Sequence, residues 1–139
     1  MKYVLVTGAY GGMGYATVKK LKAKGFFVFA MDKNVKEPEE NVIPLCADVT
    51  EEESVLAAAH KVREITSELF AIIHFAGIYA LDSLIEMSEE NFEKVIKINF
   101  LGAARVNRVF ADYVHAGGRI IMTTSELAPL SPLPFTGLY

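Results

Sequence analysis

Four glycines within seven residues, Gly8, Gly11, Gly12 and Gly14, follow the apolar run Tyr3–Thr7 and precede a stretch of helical pattern. A glycine turn between a strand and a helix lets backbone N–H groups and the helix N-terminus approach a pyrophosphate, where a Cβ would hold the phosphates away. A tight turn without ligand would use the same residues. The place after a first strand and before a helix is nevertheless the one phosphate binding requires. Tyr10 and Met13 belong to the same candidate surface. Asp32 stands 18 residues beyond Gly14, at the end of a second apolar run. A carboxylate there accepts hydrogen bonds from adenosine ribose hydroxyls and repels a 2′-phosphate, which favours NAD over NADP. The alternative for Asp32 is a solvated loop acid, and Lys33 beside it leaves NADP open. Asp48, after a third run, is placed either to contact adenine or to serve as a turn or capping residue before Thr50. His74, Phe75, Ala76 and Gly77 end a fourth run, and Ser125 follows a fifth.

The elements that must position these residues alternate in strand and helix periodicity. Tyr3–Thr7 is continuous and apolar, as a strand buried on both faces should be. A helix is predicted to about Lys24, with Val18 and Leu21 inward and Gly25 as its stop. Phe26 to Met31 reads as a second strand, 33–41 as a loop or short helix, and Val42 to Cys46 as a third strand. Thr50 and Glu53 have capping-box spacing before a helix to about Ser67. Leu69 to Phe75 is a fourth strand. Ser88 caps a long predicted helix to about His115, with Phe92, Val95, Ile96, Ala103, Val106 and Phe110 inward. Gly117 and Gly118 end that helix, and Arg119 to Thr124 is a fifth strand. The prolines Pro129, Pro132 and Pro134 make 127–139 a loop. Five parallel strands with right-handed crossovers predict a doubly wound α/β sheet, Rossmann-like, in the order 3-2-1-4-5, flanked by helices. Ligands in such sheets bind beyond the strands' carboxyl ends, where the candidate residues fall.

The chain has 139 residues, of which 52% are hydrophobic and 22% charged, with mean hydropathy +0.27. That is enough apolar content for one domain with a substantial core and too much for a disordered chain. No uncharged stretch reaches the roughly 20 residues of a membrane-spanning helix, and Met1-Lys2-Tyr3-Val4 lacks the pattern of a signal peptide. A net charge of −3 with interspersed signs gives no electrostatic case for nucleic acid or an anionic membrane. The single Cys46 excludes an intrachain disulfide and a cysteine-cluster zinc site, so no metal is expected. A cytoplasmic address is expected.

With these residues placed, the sequence resembles the short-chain dehydrogenase/reductase family over its whole length. Thr7 to Gly14 is similar to the family's TGxxxGxG through Gly8, Gly12 and Gly14. Asp48-Val49-Thr50 looks like its adenine-contacting DVT segment, Ala76-Gly77 like the end of its NNAG motif, and Asn99 like its helix asparagine. Gly118-Arg119-Ile120-Ile121 followed by Ser125 looks like the strand that delivers its catalytic serine. Tyr139 lies 14 residues after Ser125, close to the family's serine-to-tyrosine spacing. The resemblance implies an oxidoreductase that transfers hydride between nicotinamide and an alcohol or carbonyl. Tyr139 is then the general acid/base, Ser125 the hydrogen-bond donor to the substrate oxygen, and Asn99 part of a proton relay. Each has a bland alternative: a strand-end serine, a terminal aromatic, and an amide on the helix's apolar face satisfied by a structural hydrogen bond.

Two departures bear on this reading. His74 and Phe75 replace the two asparagines of NNAG, and His-Phe-Ala-Gly is closer to the sugar-nucleotide epimerase branch. That branch's TGxxGxxG also fits, through Gly8, Gly11 and Gly14. The sequence stops at Tyr139, before the lysine that in the family follows four residues later. The expectation is therefore the N-terminal NAD(P)-binding part, residues 1–139, of such an enzyme, truncated after its active-site tyrosine. Alternatives from other classes are a non-catalytic dinucleotide-binding module and a nucleotide-sugar epimerase or dehydratase. The resemblance also implies a homo-oligomer through the helix around 88–115. With Ile120, Ile121 and Met122 on a bare sheet edge, self-association is expected.

Overall fold

A computed structural model describes residues 1–79 and 85–125 of the chain. Strands β1 (Tyr3–Thr7), β2 (Phe27–Asp32), β3 (Val42–Cys46), β4 (Leu69–His74) and β5 (Val114–Met122) form one sheet. Its order is β3-β2-β1-β4-β5 and every neighbouring pair is parallel, the expected doubly wound arrangement. Side chains alternate across each strand, so β1 serves two cores. Val4 and Val6 pack with Val28, Ala30, Ala71, Ile73 and Val18 of helix α1 (Gly12–Ala23). Leu5 packs on the opposite face with Phe29, Leu45 and Ile72, beneath helix α2 (Glu52–Arg63) and helix α4 (Ala103–Phe110). Phe29 and Phe110 are fully buried, and each such side chain contributes about 1.5–3 kcal/mol through burial. Pro44 is tolerated in β3 because that strand is at the sheet edge.

The ends of α1 follow from its glycines. Gly25 takes φ +80°, and the Phe26 N–H bonds back to the Leu21 carbonyl, closing the helix as the stop signal predicts. The 33–41 segment is irregular, with an isolated bridge between Glu39 and Val42.

The structure corrects four details. The capping box at Thr50 and Glu53 does not form. Helix α2 starts one turn position later, with Glu51 at its N-cap and no side-chain cap bond. The Thr50 hydroxyl donates to the Asp48 carboxylate instead, at 2.8 Å. The long helix does begin at Ser88, whose hydroxyl accepts the Asn91 N–H. It runs as α3 (Glu89–Val95), a π-helical segment (Ile96–Gly102) and α4, and then a short 3-10 turn (Ala111–Tyr113). It therefore stops before His115: Tyr113 is buried, with its hydroxyl donating to the Ala59 carbonyl, and Val114 already pairs with Leu69. Gly117 and Gly118 consequently lie inside β5, in a register shift between the Leu69–Val114 and Ala71–Arg119 pairs, rather than at the helix end. Finally, Phe92, expected inward, is 40% exposed on α3, whereas Val95, Ala103, Val106 and Phe110 are buried as predicted.

Candidate functional site

A cleft of about 410 Å³ opens at the carboxyl ends of β1, β2, β3 and β4. Among its lining residues are Gly8, Tyr10, Gly11, Asp32, Asp48, Val49, Phe75, Ala76 and Gly77, nine of the twelve positions expected to hold a cofactor. The other three, Gly12, Met13 and Gly14, belong to the first turn of α1 rather than to the cleft wall.

The glycines divide by what a side chain would meet. Gly8 takes φ +62°, and a Cβ there would lie 2.5 Å from the Ala76 nitrogen and the Phe75 carbonyl carbon. A Cβ on Gly14 would lie 2.0 Å from the Gly8 carbonyl oxygen. These two let strand, helix and the turn after β4 pack together, and they are the glycines common to both motif alignments. A Cβ on Gly11 meets only the Gly8 oxygen at 3.5 Å, and one on Gly12 meets nothing within 4 Å. Both are exposed. The N-terminus of α1 has no side-chain cap and no acidic residue in its first turn, so its free N–H groups and positive dipole end suit an anion. The open space beside Gly11 and Gly12 fits the phosphates of a dinucleotide.

Asp32, at the end of β2, accepts the Tyr10 N–H at 3.0 Å through one oxygen and the Asn34 N–H at 3.4 Å through the other. It is thereby held at the cleft wall rather than free in solvent, against the loop-acid alternative. Asp48 is more heavily engaged. Its carboxylate accepts the Thr50 N–H at 2.9 Å and the Thr50 hydroxyl, and pairs with the Lys33 ammonium at 2.9 Å. Partial burial alone would raise its pKa; the Lys33 and Thr50 bonds outweigh that and hold it at about 2. The same bond raises the Lys33 pKa. Asp48 thus fills the turn role while lining the cleft. Tyr10 lies over the loop with its ring 6.1 Å from that of Tyr15, and the Lys36 ammonium sits 3.6 Å from the Tyr15 ring centroid. Burial pushes the Tyr10 phenol up.

On the β4 side, His74 is buried, 4% exposed. Its Nε2 lies 2.8 Å from the Asn107 Oδ1, which assigns the ring proton to Nε2 and leaves Nδ1 to accept from the Thr7 hydroxyl at 3.5 Å. Thr7 in turn accepts the Ala76 N–H at 3.3 Å. Desolvation lowers the His74 pKa against the opposing Asn107 bond. His74 is therefore a structural strand-end residue, as its position predicts, and ties β1, β4 and α4 together. The Thr123 hydroxyl donates to the His74 carbonyl, fixing the end of β5 beside it. Met122 pairs with His74, so Ser125 and Gly77, each three residues further on, leave the sheet at the same edge.

Asn99 departs from expectation. It is exposed rather than buried on the apolar face. It lies in the π-helical segment Ile96–Gly102, and its side chain meets the turn after β4. Its amide is engaged at both atoms: the Ile78 N–H donates to Oδ1 at 2.8 Å, and Nδ2 donates to the Ile78 carbonyl at 2.6 Å. Asn99 therefore holds the turn after β4. Tyr139 lies outside the described residues, so the Ser125–Tyr139 pair has no described geometry.

Sequence reasoning did not place Met31, Asn34, Ala47, Ile78 and Ile98 in the cleft wall. Asn34, two residues past Asp32, could have been found from its strand-end position. Ile98 reaches the cleft from the π-helical segment, which leaves no periodicity signal. No helix among the described residues is long and apolar enough to cross a membrane.

A family model described as short chain dehydrogenase matches residues 2–139. The chain is 31% identical over 144 residues to the NADPH-dependent 1-acyldihydroxyacetone phosphate reductase of Schizosaccharomyces pombe, covering 99% of this chain and 49% of that protein. It is 32% identical over 152 residues to estradiol 17-beta-dehydrogenase 2 of Mus musculus, covering 99% of this chain and 39% of that one. The chain thus spans half or less of the length of the curated relatives named here. Among solved structures, a short-chain dehydrogenase/reductase from Serratia marcescens matches with TM-score 0.82 at 24% identity, over 98% of this chain and 62% of that one. One from Brucella melitensis matches with TM-score 0.88 at 20% identity, over 96% and 61%. These structural likenesses bear on the fold.

Proposed function

The chain belongs to the short-chain dehydrogenase family, and from that premise we propose that it binds NAD in the cleft and serves hydride transfer between nicotinamide and a small alcohol or carbonyl substrate. The observation that carries this is the pairing of an open, uncapped α1 N-terminus beside Gly11 and Gly12 with Asp32 across the same cleft. The first suits a pyrophosphate and the second a ribose diol, and they are the two polar ends of an adenosine diphosphate group. Asp48 and Val49 would flank the adenine. Ala76 and Gly77 would lie toward the nicotinamide half. Bound nicotinamide would accept or supply the hydride.

The chain's own groups supply the rest in this proposal. Ser125 leaves the sheet beside Gly77 and would donate a hydrogen bond to the substrate oxygen. Tyr139 would hold the proton that this oxygen gains or loses. A phenol with an ordinary pKa near 10 requires a neighbouring cation to do so at neutral pH. Asn99, by fixing the Ile78 peptide, would set the position of the turn that faces the reacting end. The protein is proposed to work in the cytoplasm and to self-associate through the helix around 88–115, where Phe92, Phe100 and Leu101 are exposed.

NADP is the second reading. Lys33 lines the cleft next to Asp32, and the S. pombe relative is NADPH-dependent by name. The test is calorimetric titration with NAD and NADP, alone and with Asp32→Ala. NAD bound tighter than NADP, with the preference reduced or reversed in Asp32→Ala, supports the proposal. NADP bound tighter by the unaltered chain overturns the assignment of Asp32.

A further inference from the structure

Helix α4 stands behind the adenosine wall and not in it, yet one of its cations reaches that wall, while two others nearby pair with acids at the start of α2. Arg105 Nη1 donates to the Val49 carbonyl at 2.6 Å. Lys97 pairs with Glu51 at 3.6 Å, and Arg108 with Glu52 at 2.7 Å. The last two are exposed ion pairs of small energetic weight. Arg105 differs: it is half-buried, its Nε is buried without a partner, and its hydrogen bond among the described residues ends on the carbonyl of the cleft residue Val49. Gly102 completes the contact. A Cβ there would lie 2.7 Å from Val49 Cγ2, so the helix approaches Val49 as closely as a bare backbone allows.

The segment 47–50 has no strand or helix to hold it. Two backbone bonds bracket it, from the Ala47 N–H to the Asp32 carbonyl and from the Glu51 N–H to the Asp48 carbonyl, and side chains supply the other ties. Ser54 accepts the Asp48 N–H at 2.9 Å, Asp48 takes up Thr50 and Lys33, and the Val49 carbonyl has Arg105. Asp48 and Val49 both line the cleft, so the bond to the Val49 carbonyl from behind anchors the cleft wall at the residue where the chain turns away from it. The Arg105 bond is charge-assisted and half-buried, and it is the tie that reaches this segment from the helix behind it.

We infer that Arg105 is a positioning residue for the adenosine half of the cleft, acting through the Val49 carbonyl. This rests on the dinucleotide reading above. Removing it lets the 47–50 segment relax and weakens recognition of an adenine nucleotide, while the half of the cleft formed by Phe75, Ala76 and Gly77 is untouched.

The experiment is an NMR titration of the unaltered chain, Arg105→Met and Arg105→Lys with AMP and, separately, with nicotinamide mononucleotide. Arg105→Met is expected to weaken AMP about three- to tenfold, less than the direct loss of a charge-assisted bond because Arg105 acts through Val49, with nicotinamide mononucleotide unchanged. Arg105→Lys, which keeps a cationic donor, is expected to lie between and remains informative should Arg105→Met fail to fold. A general structural role would instead weaken both probes together or neither while lowering the melting temperature, and either result overturns the inference. Failure of the unaltered chain to bind AMP overturns the dinucleotide reading itself, and this inference with it. Unaltered AMP binding by both variants overturns the inference alone.

Discussion

The two glycines Gly12 and Gly14 lie two residues apart in one loop and should respond oppositely to the same substitution. In Gly14→Ala the new methyl would sit 2.0 Å from the Gly8 oxygen, 2.8 Å from the Gly8 carbonyl carbon and 3.1 Å from the Ala9 Cα. All three are backbone atoms, so no side chain can swing aside. To reach ordinary contact of about 3.4 Å the first turn of α1 must retreat by about 1.4 Å. That movement strains the Gly11 N–H bond to the Gly8 carbonyl and loosens Val18 from the core beneath. Overpacking of this kind costs about 1–3 kcal/mol, and the backbone obstacle places Gly14→Ala near the top of that range. At about 3–4 °C per kcal/mol for a domain of this size, the melting temperature should fall by roughly 10 °C. In Gly12→Ala the methyl meets nothing within 4 Å, and relief of glycine's backbone entropy should leave stability unchanged or raise it by up to about 1 kcal/mol. Thermal melts followed by circular dichroism, with urea melts to check the order, measure both. A Gly14→Ala melt within 2 °C of the parent, or a Gly12→Ala loss equal to that of Gly14→Ala, would refute the division of the loop into packing and phosphate-facing glycines.

Three more outcomes follow from the same geometry. Because the folded Asp48 pKa of about 2 is below the ordinary value of 3.8, its contribution is fully present above about pH 5 and lost as pH falls through 2. Asp48→Asn should remove about 1–2 kcal/mol at pH 7, after allowance for the exposed Lys33, and flatten the acid limb of urea-melt stability against pH. His74 is held neutral by burial, so its folded pKa is below 6.5; its contribution is undiminished above that pH and declines as pH falls from there toward the folded value. NMR titration of the His74 ring should show a midpoint below 6.5, and a midpoint above it contradicts the buried neutral tautomer. Asn99→Ala frees both groups of Ile78. It should cost about 1 kcal/mol and speed amide hydrogen exchange at 77–79, whereas unchanged exchange there would show that the amide does not hold the turn.

The sheet was legible because its strands carry their burial in composition. Tyr3–Thr7 and Val42–Cys46 coincide with the observed strands, Phe27–Asp32 is shifted by one residue at each end from its predicted limits, and Leu69–His74 is one residue shorter than predicted. The cleft was legible because a doubly wound sheet puts ligand-facing residues just past strand ends. Failures came where long-range contacts override a local signal. Thr50 has the spacing of a cap but loses its hydroxyl to Asp48. Gly117 and Gly118 look like a helix stop, yet Tyr113 reaches Ala59 and Val114 pairs with Leu69 before they occur. Asn99 has the helical spacing of the buried Val95 and Ala103, yet it is exposed and spends its amide on Ile78, 21 residues away. Arg105 carries no local sign of its partner, 56 residues away at Val49.

The central claim, that the cleft at the carboxyl ends of β1, β2, β3 and β4 takes a dinucleotide, is tested most directly by mapping amide chemical shifts of the ¹⁵N-labelled chain during titration with NAD. Saturable shifts concentrated at Gly8, Tyr10, Gly11, Gly12, Asp32, Val49, Ala76 and Gly77 are predicted. Contradiction would be the absence of saturable shifts at these residues with both NAD and NADP, or saturable shifts confined to a surface elsewhere on the sheet.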